Sequence, residues 1–206
     1  MTGKLEFKHS AKSVLQYLMQ IAFDNVDLKQ FLSDTKLKQT PDTEPTSGKM
    51  SGSLSLGVNT ADASSRIGIC RLAISDMQVG RPSPLGKVLQ VLKLTEPKDF
   101  AFDRMLVDSY IKHDRLFFKK LDLSGETLAF YGSGWMNFPS RNVDLILIAR
   151  GRRLATADPS LLQSLAEGLG QAVVKMEVTG DLYDPRVTTT AFPVIKESLE
   201  IFGTPP

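Results

Sequence analysis

Residues 100–149 read FAFDRMLVDSYIKHDRLFFKKLDLSGETLAFYGSGWMNFPSRNVDLILIA, and this stretch decides the fold. Four runs dense in β-branched and aromatic residues, 102–111, 115–123, 127–138 and 143–148, follow one another with little between them. The separators are His113-Asp114, Ser124-Gly125-Glu126 and Pro139-Ser140-Arg141-Asn142, all polar turn formers. Connections that short join antiparallel neighbours, because a parallel crossover needs a dozen or more residues. The expectation is a mainly β chain: an antiparallel meander sheet, strongly curved, with a few short covering helices.

Upstream, Leu54, Leu56 and Val58 alternate with Ser53, Ser55 and Gly57, the period of a half-buried strand. In 66–76, Ile67 and Ile69 fall on one parity and Leu72 and Ile74 on the other, which suggests a bulge near Arg71. Pro82 and Pro84 open a helix with Leu85, Val88, Leu89 and Leu92 on one side. Residues 14–23 fit either a buried strand or a helix, with Leu15, Leu18, Met19 and Ala22 at helical spacing. The strand is preferred, because Asp24-Asn25 then turns the chain and Asp27 caps a short helix carrying Leu28, Phe31 and Leu32. Residues 36–48, KLKQTPDTEPTSG, have almost no apolar content and read as a flexible loop. Downstream, Asp158-Pro159 opens a helix through Leu169, residues 175–182 return as a strand, and 192–202 read as a final helix. The chain thus divides into a strand and helix over 1–35, a loop over 36–48 and the main sheet over 49–206, all within one domain.

Composition narrows the function classes. The chain has 206 residues, 42% of them hydrophobic and 23% charged, which is ordinary for a globular protein. A net charge of +2 supplies no strong field for nucleic acid. Cys70, the sole cysteine, excludes an internal disulfide and lies beside Ile69 and near Leu72 as a small packing residue. No run reaches the ~18 apolar residues a membrane-spanning helix needs.

Catalytic patterns are absent too. Gly132-Ser133-Gly134 lacks the outer glycine of a nucleophile elbow and sits within a strand. The dinucleotide fingerprint fails at Asn137, and no P-loop occurs. The two glycines fit a curved strand or a close aromatic neighbour. His9 and His113 have no ligand partner at helical spacing, and Asp103, Asp108 and Asp122 read as a solvated face. The sequence offers no catalytic residues, no metal site and no cofactor.

The order of several motifs resembles the AsmA-like C-terminal region of bacterial cell-envelope proteins. Asn25-Val26-Asp27-Leu28 is followed by a polar loop and then by Gly48-Lys49-Met50-Ser51-Gly52-Ser53-Leu54. Leu72-Ala73-Ile74-Ser75-Asp76-Met77 is similar to that family's L-x-I-x-D-G, with Met77 in place of glycine, and the proline-opened helix 84–92 follows. Asp114-Arg115-Leu116 through Leu121-Asp122-Leu123-Ser124-Gly125 leads into Leu128 to Gly134 and Val143-Asp144-Leu145. The closing stretch 178–187, VTGDLYDPRV, looks like the family's V-x-G-T-L-x-x-P-x-V. The ordered set covers roughly residues 20–195.

The resemblance implies a periplasmic body, anchored to the inner membrane in a longer parent protein. It implies a role in outer-membrane assembly or in phospholipid transport between membranes, with acyl chains held on an apolar β groove. The expected partners are phospholipid or another acyl lipid and other envelope proteins, with no nucleic acid.

The candidate lipid contacts are Phe117, Phe118, Phe130, Trp135, Phe138, Ile146 and Ile148, more large apolar side chains than one core face of a tight meander can hold. Arg150, Arg152 and Arg153, just past Ile148, are the candidate head-group contacts. A structural module that extends the sheet of a larger protein by edge pairing remains the alternative.

Overall fold

The computed structural model describes residues 2–9, 15–34, 46–59, 62–81, 83–92, 100–151 and 172–193. They form ten strands and two short helices: β1 (Thr2–His9), β2 (Leu15–Asp27), α1 (Leu28–Asp34), β3 (Ser47–Asn59), β4 (Asp62–Gln78), α2 (Pro84–Val91), β5 (Ala101–Lys112), β6 (Arg115–Ser124), β7 (Leu128–Asn137), β8 (Asn142–Gly151), β9 (Ala172–Asp181) and β10 (Asp184–Pro193). All ten strands belong to one sheet in sequence order, each antiparallel to the next. The mainly β meander expected from residues 100–149 is therefore the architecture of the chain. Its curvature is milder than expected, for the sheet is neither closed nor strongly curled.

The turns follow from local chemistry. His113 and Arg141 occupy left-handed conformations at φ 56° and 58°, at the tips of the β5–β6 and β7–β8 connections. Asp27 caps α1 as expected, its Oδ1 accepting from the Gln30 backbone N–H at 3.0 Å. At α2, Ser83 Oγ accepts from the Gly86 N–H at 3.0 Å, and Pro84 occupies the first turn, where its missing donor costs nothing.

Several expectations are corrected. β4 has no bulge at Arg71, since its pairing with β5 runs unbroken from Ile67 to Ser75. Its apolar residues simply occupy both faces. Leu72 and Ile74 point inward, while Ile67 and Ile69 stay exposed on the outer face. The bulge sits in β6 instead, where Lys119 is the extra residue between Ser109↔Phe118 and Asp108↔Lys120. It brings Leu121 and Leu123 to the same face as Leu116 and Phe118.

Asp24-Asn25 is not a turn. It is an irregularity within β2, with Asn25 at φ 51° and its N–H donating to Ser51 Oγ. Ser47 and Gly48, assigned to the loop, are already β3, and the rest of 36–48 apart from Thr46 lies outside the described residues. Phe192 and Pro193 end a strand rather than begin a helix. The expected helix 158–169 lies outside the described residues, as does the remainder of 192–202.

Candidate functional site

Register converts the sequence into two surfaces. On the inner face, one cross-strand row reads Ile21, Leu54, Cys70, Ser109, Phe118, Gly134, Leu145, Val178, Val187. The next reads Phe23, Gly52, Leu72, Val107, Leu121, Gly132, Leu147, Met176, Thr189. Nearly every position is apolar, because each strand contributes alternate residues to this face.

α2 lies over part of this face, and its stripe serves two purposes. Val88, Leu89 and Leu92 are buried, while Leu85, half-buried, packs against the core from its edge. Between α2 and the sheet lies an apolar cavity of about 320 Å³. Pro84, Leu85 and Val88 form its helical wall, and side chains from β4, β5, β6, β7, β8 and β9 form the sheet wall. Leu182 and Pro185, at the β9–β10 turn, close one side. No polar atom faces the space. The hydroxyl of Ser109, one of its lining residues, is turned to the Cys70 carbonyl, to which it donates at 2.9 Å.

The cavity reaches the β5–β6, β7–β8 and β9–β10 turns, where Leu116, Val143, Leu182 and Pro185 line it. Leu89, Leu92, Phe100, Phe102, Leu128 and Met176 belong to the adjoining core rather than to the cavity wall, and all are essentially inaccessible. Of the cavity lining, Leu72, Leu85, Met105, Phe118, Leu145 and Leu182 pack only partly buried against the core. Cys70, on the β4 side, is also half-buried, and burial pushes its thiol pKa up.

The candidate lipid contacts divide between the faces. Phe118 and Phe130 line the cavity. Phe117, Trp135, Ile146 and Ile148 have the opposite parity and point to the outer face. There Phe117 stacks on Tyr110 with ring centroids 4.9 Å apart, and the Arg115 guanidinium lies 4.6 Å from the Trp135 ring centre. Phe138 sits on the β7–β8 turn, 37% exposed. Arg150 shares the outward parity of Ile146 and Ile148 and lies at the end of β8 away from the β7–β8 turn; Arg152 and Arg153 lie outside the described residues.

Leu116, Leu121, Leu123, Val143, Leu145 and Leu147 line the cavity but were absent from the sequence candidates. The signal was available: Phe118 and Leu121 lie three apart, the parity change that the β6 bulge resolves.

Asp122 is buried on the outer face and pairs with Lys120 at 3.1 Å. Asp108 lies 3.9 Å from Arg71 and 3.7 Å from Lys119 in a surface ion-pair cluster, so the solvated face expected for these carboxylates holds for Asp108 but not for the buried Asp122. Among the described residues, no group of three or more His, Cys, Asp or Glu side chains could hold a metal ion, and no helix is long and apolar enough to cross a membrane. Comparison with known proteins finds no matching family model, curated protein or solved structure.

Proposed function

We propose that this chain is a non-catalytic domain that holds an acyl chain against the inner face of its sheet. In this reading it serves a bacterial cell envelope, in the periplasm, in outer-membrane assembly or in phospholipid transport between membranes. Its partners are an acyl lipid and other envelope proteins, and a longer parent protein supplies the inner-membrane anchor. The observation that carries the reading is the cavity of about 320 Å³ with no polar atom on its wall. Such a space suits a hydrocarbon, since water there would find no hydrogen-bond partner. At ~0.8 kcal/mol per methylene, burial of about eight methylenes contributes roughly 6 kcal/mol before the cost of ordering the chain. The envelope setting rests on the ordered motifs between residues 20 and 195.

A photoactivatable fatty acid tests this reading. It labels peptides containing Leu116–Phe118 and Val143–Leu147, and unlabelled fatty acid competes. Labelling spread evenly over the surface, or none, removes the acyl-chain reading.

One observation favours a second reading, a module that extends another protein's sheet. β1 and β10 each pair on one side only, leaving two open edges among the described residues. A self-associating or partner-bound species that competes with strand-edge peptides, with no fatty-acid labelling, would favour that module.

A further inference from the structure

The end of the cavity lined by Leu116, Val143, Leu182 and Pro185 is framed by a rim of turns tied to one another through the backbone. The His113 N–H donates to the Arg66 carbonyl at 2.7 Å, the Phe138 N–H to the Asp114 carbonyl at 2.8 Å, and the Leu182 N–H to the Arg141 carbonyl at 2.9 Å. Three connections that are separate in sequence therefore hold fixed positions relative to one another. Two exposed aromatic side chains stand on this rim, Phe138 at 37% and Tyr183 at 39% exposure. Trp135 lies two residues inside the end of β7, and Arg141 lies over the Tyr183 ring at 5.6 Å.

The charge on the rim is uneven. Asp114 is matched by Arg66 at 2.6 Å, Asp184 by Lys87 at 3.3 Å and Asp181 by Arg141 at 3.9 Å. Lys112, Arg115 and Arg186 have no ion pair among the described residues, and Asp144 is the one carboxylate near them without one. Aromatic rings with one wet edge, beside cations in excess, match the chemistry of an anionic bilayer surface. Tyr and Trp settle at head-group depth, and Lys and Arg meet the phosphates. A protein partner would be expected to cover a broader, less charged patch.

We propose that the rim formed by residues 112–115, 138–141 and 182–186 docks on the surface of an anionic phospholipid bilayer, so that the end of the cavity lined by Leu116, Val143, Leu182 and Pro185 faces the membrane. The proposal deepens the acyl-chain reading and rests on it for its purpose, while the docking itself is measured separately.

The test uses the full chain with two kinds of vesicle, phosphatidylcholine alone and phosphatidylcholine mixed with phosphatidylglycerol. The protein sediments with the mixed vesicles, not with the neutral ones, and added salt weakens the binding. Because Trp135 is the only tryptophan, brominated lipid in the mixed vesicles quenches the intrinsic indole fluorescence of the bound protein.

The double variant Lys112→Glu, Arg115→Glu loses on the order of tenfold or more in partitioning. Arg104→Glu with Arg150→Glu, the same charge change at the opposite end of the sheet, loses little. Melting curves confirm that each variant is folded, and the quenching of the wild type needs no variant. Absence of binding, binding without quenching, or equal losses in the two double variants overturns the rim proposal. Fatty-acid labelling in vesicle-free solution reads the cavity alone. Its failure alongside quenched vesicle binding would sink the acyl-chain reading and spare the rim, and the reverse result would do the opposite.

Discussion

Gly134 has φ +148°, and a Cβ built there would collide with the Asp144 carbonyl oxygen and lie 2.7 Å from the Leu145 Cα. At Gly132 a Cβ would meet the Ile146 carbonyl oxygen at 2.6 Å and the Leu147 side chain. Both glycines exist because the β8 backbone crosses close beneath β7, a reason more specific than the curved strand or neighbouring aromatic expected from the sequence. Ser133 between them is exposed on the outer face. Gly134→Val and Gly132→Val therefore destabilise by about 3 kcal/mol or more, and Ser133→Ala changes stability by less than ~0.5 kcal/mol. Denaturant melts of the three variants check this, and similar midpoints would remove the close-approach account.

At this scale the sequence was least informative about the site. Phe117 and Phe118 are adjacent and chemically alike, yet one faces the outer aromatic row and the other the cavity. Only the strand register separates them. The half-buried thiol of Cys70, read as packing, turns out to stand on the cavity wall.

Elements were more legible. The strands β5, β6, β7 and β8 were readable to within a few residues, because alternation, dense apolar content and short polar turns all agree there. β1 and β10 were not. β1 offers only Leu5 and Phe7 between charged residues, and β10 combines two prolines with three consecutive threonines. Pairing with β2 and β9 defines these strands, and a single sequence does not display pairing.

The cap of α1 was readable, and it carries a pH dependence. Hydrogen bonds from the Gln30 backbone N–H and then from Lys49 hold the Asp27 carboxyl below its ordinary value of 3.8. A carboxyl whose folded pKa is depressed contributes stability that is complete above the unfolded value and is lost as the pH falls through the folded one. Asp27→Asn keeps a capping oxygen but removes the titrating group and the Lys49 ion pair, which spans 3.2 Å. The difference in stability between wild type and Asp27→Asn shrinks as the pH is lowered below about 4. A constant difference across that range would contradict the assignment.

For the whole molecule, the meander was legible because short polar turns leave antiparallel neighbours as the only economical connection. The two-faced character was visible as an excess of apolar residues over what one core face can hold. Which residues lie on which face was not, because the β6 bulge reverses parity partway along a strand and β4 is apolar on both sides without one. One face of the resulting sheet carries aromatic rings and ion pairs, and the other carries the apolar cavity beneath α2.

That cavity supports the central claim of acyl-chain binding, and the chain supplies its own reporter. Cys70 is the only cysteine, stands on the cavity wall and is half-buried. Burial raises its thiol pKa, so alkylation is slow from the start, though measurable at alkaline pH. The decisive measurement is the alkylation rate of Cys70 by N-ethylmaleimide, with and without saturating palmitate, in protein shown by circular dichroism to be folded under both conditions. Acyl-chain occupancy predicts a rate at least several-fold slower with palmitate, restored when the fatty acid is stripped away by albumin. An unchanged rate, with palmitate present in excess and Cys70 still reactive, would contradict the claim.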